Sequence, residues 1–355
     1  GWRVHVYTSP HLVRFNERIR VAGAIVSDTA LEEALEAVEA TNAGAPITVF
    51  EVITAVAFKL FAEIPAELCV LEVGLGGRFD ATNVIERPAA CAIAPVSIDH
   101  REMLGETLAA IAFEKAGIIK PGVPVAVAAQ PGEAAEVIAA RAAALDARLF
   151  AEARDWHAEA RPGGWRYTDA SGPLDLPSPS LPGAHQIGNA GLAIAVLRAS
   201  GLRPPATAFA GVACAEWPAR LQRLTGRLAA RLPAGWELWL DGGHNAGAGE
   251  ALGRHLALWA DRTLHLIVGM KQTKDAGAFL APLLPHAATV WAVVEPGQYL
   301  AQPIAAIIAA SGGAAREGPT VEAALDALPK SGAPARVLIC GSLYLAGEVL
   351  KRDAA

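Results

Sequence analysis

Two stretches of the chain carry one signature: short, continuous apolar runs set between helical patterns. In the first, LCVLEV (68–73), AACAIAPV (89–96) and VPVAVAA (123–129) alternate with 3.6-residue periodicity near 106–117 and 132–145. A run that lacks apolar/polar alternation reads as a strand covered on both faces, and such strands joined by helices make parallel α/β sheets. The second stretch restarts at WELWLDGGHN (236–245) and continues through TLHLIVG (263–269), TVWAVV (289–294) and ARVLIC (335–340). Its helices are expected to about 260, from about 275, and over 302–310, 320–328 and 342–351. A chain of 355 residues is long enough for two domains, each with its own core. The pattern divides it near Trp217–Gln222, into 1–217 and 218–355. Between the two patterns, 151–180 reads as a small antiparallel hairpin region and 186–200 as a helix. Near the start, RVHVYTS reads as a strand, and Ser27 or Asp28 caps a helix bearing Leu31, Ala34, Leu35 and Val38. Thr48 and Glu51 form a capping box that opens a further helix through Phe61.

Composition narrows the function classes. Hydrophobic residues are 53% of the chain but aromatics only 6%, the excess being alanine, and no run of about 18 apolar residues exists to cross a membrane. A formal net charge of −6 leaves no basic footprint for nucleic acid and no cationic membrane anchor. Cys69, Cys91, Cys214 and Cys340 lie far apart, mostly inside apolar runs, and read as small buried residues of a reducing compartment. No leader is visible in GWRVHVYTSPH, so the cytoplasm is the expected location.

Ligands of open α/β sheets bind beyond the carboxyl ends of the strands, and there the polar residues collect. LEVGLGGRFDATN puts Glu72 at the end of an apolar run, followed by a glycine-rich turn, Arg78 and Asp80. The bland alternative for GLGG is a tight turn with a surface Arg–Asp pair. Glu72 resists that reading, because a carboxylate within an apolar strand is costly unless paired or bound to metal. SIDH places His100 past the next strand, and Lys115 follows among Ala112, Phe113, Ala116 and Ile118, where desolvation would lower its pKa. Ser9 ends the first strand, and Asp241 in LDGGHN ends a strand that opens a helix, where capping by Asp241 or Asn245 is an equal explanation. Asn189 and Arg220 are weak signals alone. No GxSxG, HExxH, paired CxxC or complete GxGxxG occurs, so nucleophile and dinucleotide templates are excluded.

Taken in order, TSPHLVRFNERIRVAG, TVFEVITAVAF, LEVGLGGRFDATNVI, SIDH, FEKAGIIKPGVPV, HQIGNA, WPARLQ, LDGGHNAGAGEAL, GMKQTKD and ICGSLYLAGEVL resemble folylpolyglutamate synthase/dihydrofolate synthase, the folate branch of the Mur ligase superfamily. The resemblance implies a Mur-ligase-like, mostly parallel-sheet ATPase domain followed by a smaller Rossmann-like α/β domain. It implies a cytoplasmic monomer in which ATP phosphorylates a carboxylate of dihydropteroate or a reduced folate. The amine of L-glutamate then attacks the acyl phosphate. By motif correspondence, Ser9 and Glu72 hold one Mg²⁺ and His100 helps hold a second, with Lys115 carried as a carbamate; Glu72, His100 and Lys115 are the catalytic set. Asn189, Arg220, Asp241 and His244 correspond to ATP contacts. Thr48, Val49, Phe50 and Glu51, with Phe79, Asp80 and Ala81, correspond to the pterin surface.

The family's GTNGKGS-type phosphate loop lies about twenty residues before TSPH. This chain begins seven residues before Thr8 and has no GxxxxGK[ST], which implies little or no ligase activity for residues 1–355 alone. Gly243 and Ala246 depart from the commoner Ala and Pro without removing a functional side chain. The alternatives are a non-catalytic folate- or nucleotide-binding remnant and a Mur-type peptidoglycan ligase; GGRFDATN with TVFE argues against the latter.

Overall fold

A computed structural model of the protein describes residues 1–330 and 332–354. The chain opens with β1 (Val4–Tyr7), β2 (Ile19–Val21) and β3 (Ala24–Ile25), then α1 (Asp28–Asn42), α2 (Val49–Glu63) and β4 (Leu68–Leu71). Next come β5 (Cys91–Ile93), α3 (Arg101–Leu104), α4 (Leu108–Ala116), β6 (Val125–Val127), α5 (Gly132–Ala144) and β7 (Leu149–Ala151). An antiparallel meander, β8 (Trp156–Arg161), β9 (Gly164–Asp169) and β10 (Gly172–Pro177), leads to α6 (His185–Ala199). The rest is β11 (Gln222–Leu224), β12 (Glu237–Leu240), α7 (Ala246–Leu256), β13 (Thr263–Val268), α8 (Ala276–Leu280), β14 (Thr289–Ala292) and α9 (Ile304–Ala310). It closes with β15 (Ala315–Glu317), α10 (Val321–Ala327), β16 (Ala335–Cys340) and α11 (Leu343–Ala354).

Four sheets result, ordered β3-β2-β1-β4, β5-β6-β7, β10-β9-β8 and β11-β12-β16-β13-β14-β15. The last is parallel except for β11, and it has the cleanest physical logic. Leu266, Ile267, Val268, Val337, Leu338 and Ile339 are all fully buried. One face of these strands packs on Leu325, Leu345 and Val349 of α10 and α11, the other on Leu252, Phe279 and Leu280 of α7 and α8. With no solvated face there is no alternation to read, as the unbroken apolar runs predict.

The first sheet is different. Tyr7 and Ile19 pack under α1 and α2 against Leu31, Ile53, Val56 and Leu60. Ser27 caps α1 by accepting from the Ala30 N–H at 3.2 Å, and Thr48 and Glu51 make the expected reciprocal box at the start of α2. However, β4 is an edge strand that pairs only with β1, in parallel with Tyr7 opposite Leu71. Its other side is open: Cys69 is exposed and Val70 is 48% exposed. The expectation of a strand buried on both faces therefore fails here, and so does that of four buried cysteines, since Cys214 is exposed as well. The β2–β3 hairpin, absent from the sequence reading, turns at Ala22 (φ 52°) and Gly23 (φ 96°). Strands this short offer no period, and alanine is not a residue that announces a positive-φ turn. The short edge strands β11 and β15 were equally invisible in the pattern.

Candidate active site

The carboxyl ends of β1, β4, β5, β12, β13 and β16 lead into loops that surround one cavity of about 680 Å³. Ser9, His100 and His244 line it, with Thr48, Phe50 and Glu51 on one flank and Phe79, Asp80 and Ala81 on another. Thus segments far apart in sequence meet where open α/β sheets take their ligands. Glu72, Lys115, Arg220, Asp241, Val49 and Asn189 are not among its lining residues; Val49 is 74% exposed, and the Asn189 side chain donates to Gln186 of its own helix at 3.0 Å.

Glu72 lies just beyond β4, its N–H still bonded to Tyr7 O at 2.9 Å, so it is a strand-end residue and not one within the strand. Its Oε2 accepts the backbone N–H of Ser9 at 2.9 Å, joining two of the nominated positions. The residue has open surface, yet the surrounding walls desolvate its carboxyl and push its pKa up, against the pull of the Ser9 N–H and Arg220. Lys115 is pulled down by burial, with Asp99 opposing. His100 sits at φ 50°, a conformation rare for a side chain with a Cβ, and burial and Lys274 hold its imidazole low, hence neutral near pH 7.

Asp99, quoted within SIDH but given no role from sequence, is the hub of the site. Its Oδ1 pairs with Lys274 Nζ, its Oδ2 accepts from Asn245 Nδ2 at 3.0 Å, and His244 Nε2 is 3.8 Å away. Burial raises the Asp99 carboxyl, but the bonds from Asn245 and Lys274 outweigh it and leave a pKa of about 2. Lys274 also donates to His100 Nε2 at 3.3 Å. Gly247 permits the close approach at this junction: a Cβ there would lie 3.0 Å from Ser97 Cβ. His244 Nδ1 donates to the Gly242 carbonyl at 2.9 Å, since a carbonyl only accepts, which leaves Nε2 of the neutral ring with a free lone pair.

Asp241 and Arg220 form a second unit. The Asp241 carboxylate, 7% exposed, accepts from Gly243 N at 2.7 Å and Leu221 N at 2.8 Å. Ala219 (φ 57°) and Leu221 (φ 44°) are buried in left-handed conformations on either side of Arg220. Asp241 therefore fixes a strained loop that presents the guanidinium. Capping is real too, but at α7 it belongs to Asn245, which accepts from Ala248 N at 2.9 Å.

The glycine-rich turn corrects the surface-pair alternative. Arg78 pairs with Glu114, not Asp80, through Nη2 at 2.8 Å and Nε at 3.2 Å, and lies 4.1 Å from the Phe79 ring and 5.0 Å from that of Phe113. Asp80 serves the loop itself, accepting from Leu75 N at 2.8 Å and Thr82 N at 3.0 Å. Phe79 is left 82% exposed, with its ring available to a flat partner. Gly74 is demanded by packing, because a Cβ there would meet the Phe50 ring at 2.3 Å.

Residues 229–352 match the family model described as dihydrofolate synthetase, C-terminal domain. Over 369 residues the chain is 33% identical to a folylpolyglutamate synthase of Lacticaseibacillus casei, covering 98% of this chain and 83% of that protein. The chain belongs to the folylpolyglutamate synthase/dihydrofolate synthase family. The solved structure of Escherichia coli FolC in complex with DHPP and ADP superposes with a TM-score of 0.88 at 30% identity, over 99% of this chain and 82% of that one. A bifunctional folylpolyglutamate synthase/dihydrofolate synthase with Mn, AMPPNP and L-glutamate bound gives 0.88 at 30%, over 100% and 83%. Membership fixes the fold class as the Mur-ligase-like α/β arrangement and the class of activity as an ATP-dependent ligase. No helix among the described residues is long and apolar enough to cross a membrane.

Proposed function

We propose that this family member joins L-glutamate to the carboxyl group of a folate-type acid, dihydropteroate or a reduced folate, at the expense of ATP. The observation that carries the reading is one cavity lined at once by an exposed aromatic lip, polar donors at strand ends and cationic side chains from beyond residue 218. A carboxylate oxygen of the acid attacks the γ-phosphorus and ADP leaves. The glutamate nitrogen then attacks the acyl carbon, phosphate departs and the nitrogen releases a proton. Catalysis of this kind is chiefly orientation and charge stabilisation.

Phe50 and Phe79, with Thr48, Val49, Glu51, Asp80 and Ala81, form the surface for the pterin. Glu72, oriented by the Ser9 N–H, is a hard oxygen donor suited to Mg²⁺ or Mn²⁺ together with the Ser9 hydroxyl, and the neutral imidazole of His100, a borderline nitrogen donor whose Nε2 would have to leave Lys274, would help hold a second ion. Divalent cations there would neutralise the phosphate oxygens. Among the described residues no group of three His, Cys, Asp or Glu side chains is arranged to hold a metal ion, so a further anionic ligand is wanted. Lys115, held low by burial and close enough to feel Asp99, supplies one if its neutral amine adds CO₂ and loses a proton to become a carbamate. Arg220 and Asp241, with Asn189 and His244, serve the nucleotide. The division into 1–217 and 218–355 and a monomeric state are part of the same proposal.

Calorimetric titration with dihydropteroate and with Mn-AMPPNP tests the reading, and ADP release from Mg-ATP in the presence of dihydropteroate and L-glutamate measures the chemical step. Binding of both ligands is expected, and failure to bind either sinks it. Phe79→Ala should weaken dihydropteroate about ten-fold, from an aromatic contact of roughly 1–1.5 kcal/mol, and leave Mn-AMPPNP unchanged. Gly74→Ala should do the same through displacement of Phe50; unaltered dihydropteroate affinity in both would remove the pterin from this flank.

A further inference from the structure

Arg18 ends the turn Phe15–Arg18 ahead of β2 and reaches into the cavity. Its guanidinium is half-buried, and burial lowers its pKa, so the charge is held there at a cost. A buried cation is ordinarily matched by a carboxylate, and here none is present among the described residues. The Nε donates to His11 Nδ1 at 3.0 Å and the group lies 5.4 Å from the Phe15 ring, while its electrostatic neighbours are the phenols of Tyr7 and Tyr344. Glu17, next in sequence, is committed elsewhere: it accepts the N–H groups of Leu12 at 2.8 Å, Val13 at 3.1 Å and Arg14 at 2.8 Å. The Nη donors of Arg18 therefore have no acceptor among the described residues.

Lys271, in the loop after β13, also lines the cavity. Its ammonium lies 5.5 Å from the Tyr299 ring and 5.6 Å from the Tyr344 ring, and no carboxylate of the described residues lies within salt-bridge distance of it. Arg18 and Lys271 are thus two cations without anions, one from each half of the chain, with Tyr344 the neighbour of both. They are separate from the Asp99–Lys274 pair and from Arg220.

We infer that Arg18 and Lys271 bind a carboxylate of a glutamyl unit and so set which glutamate-bearing substrate the cavity accepts. This rests on the ligase reading above. A planar fork of unpaired N–H donors matches a carboxylate in two-point fashion, and aromatic walls that exclude water strengthen the contact. The carboxylate has two possible sources: the free L-glutamate that enters as amine, or the glutamyl tail already present on a reduced folate. Dihydropteroate lacks that tail, which separates them.

The test is calorimetry on the whole chain loaded with Mn-AMPPNP, comparing wild type with Arg18→Gln, Lys271→Met and Arg18→Lys, after thermal melts confirm folding. Titrants are dihydropteroate, tetrahydrofolate and, with dihydropteroate present, L-glutamate. Arg18→Gln should weaken one glutamyl titrant roughly ten- to hundred-fold, with dihydropteroate unchanged and Arg18→Lys intermediate. Loss confined to L-glutamate assigns the entering amino acid; loss confined to tetrahydrofolate assigns the tail. Lys271→Met, contributed by the other half of the chain, should weaken the same titrant and decides the matter if Arg18→Gln does not fold. Unchanged affinities, or equal loss for dihydropteroate, would overturn the inference. A wild type that binds dihydropteroate and nucleotide but no glutamyl titrant overturns it while sparing the ligase reading; one that binds neither dihydropteroate nor nucleotide removes both.

Discussion

Asp241→Ala should cost the protein about 2–6 kcal/mol of stability and weaken Mn-AMPPNP binding by an order of magnitude or more. The first figure follows from stranding two backbone donors, the N–H groups of Gly243 and Leu221, at roughly 1–3 kcal/mol for each unsatisfied buried group. Leu221 is 1% exposed, so water cannot readily replace the lost acceptor. The second follows from the loop. Ala219 and Leu221 persist in left-handed backbone conformations only while their surroundings hold them, and the Asp241 bond to Leu221 is one of those restraints. Released, the loop relaxes and Arg220 leaves the position it holds beside Gly242, where its Nη1 lies 3.2 Å from a Cβ built on that glycine. Asp241→Asn keeps one acceptor oxygen and should fall between. Urea denaturation and nucleotide titration measure the two effects; a destabilised variant with wild-type nucleotide affinity would make Asp241 purely structural.

The second large effect is expected at the Asp99–Lys274 pair. The Lys274 side chain is 7% exposed and that of Asp99 21%, so Asp99→Ala leaves an ammonium buried with no carboxylate, at roughly 3–5 kcal/mol. It also removes the acceptor of Asn245. These bonds tie the loop after β5 to the loops after β12 and β13, so the loss should appear as separate melting of the two halves in a calorimetric scan. Lys274→Met removes the charge along with its partner's need for it. The double variant should consequently be less unstable than the sum of the single ones, with a coupling of about 1–3 kcal/mol. Additive losses would mean that the two side chains are not energetically coupled.

What could be read from residue order alone was whatever depends on near neighbours or on a repeated pattern. Ser27, Thr48 and Glu51 cap helices because cap and target lie three residues apart, and the sequence window contains both. The buried strands β13 and β16 were legible because both faces are covered, and Leu266, Ile267 and Val268 in one and Val337, Leu338 and Ile339 in the other run without a polar break. Strand ends then told where Ser9, Glu72, His100 and Asp241 would stand, and the ordered motifs supplied the family.

Tertiary structure decided the rest, because pairing across long separations leaves no local trace. The LCVL strand has the composition of a buried one, yet its exposure depends on which strands lie beside it, and it has one neighbour. Arg78 chose Glu114, 36 residues away, over Asp80 next to it, since the Asp80 carboxylate is taken by its own loop. Asp99 finds Lys274 across 175 residues, a contact that no periodicity contains. Arg18 looks like any charge in a loop until the fold surrounds it with phenols and directs the nearest carboxylate to backbone donors. A residue's type and its nearest neighbours set what chemistry it can do, whereas burial and the partner it meets set the energy of that chemistry, and both are properties of the assembled chain.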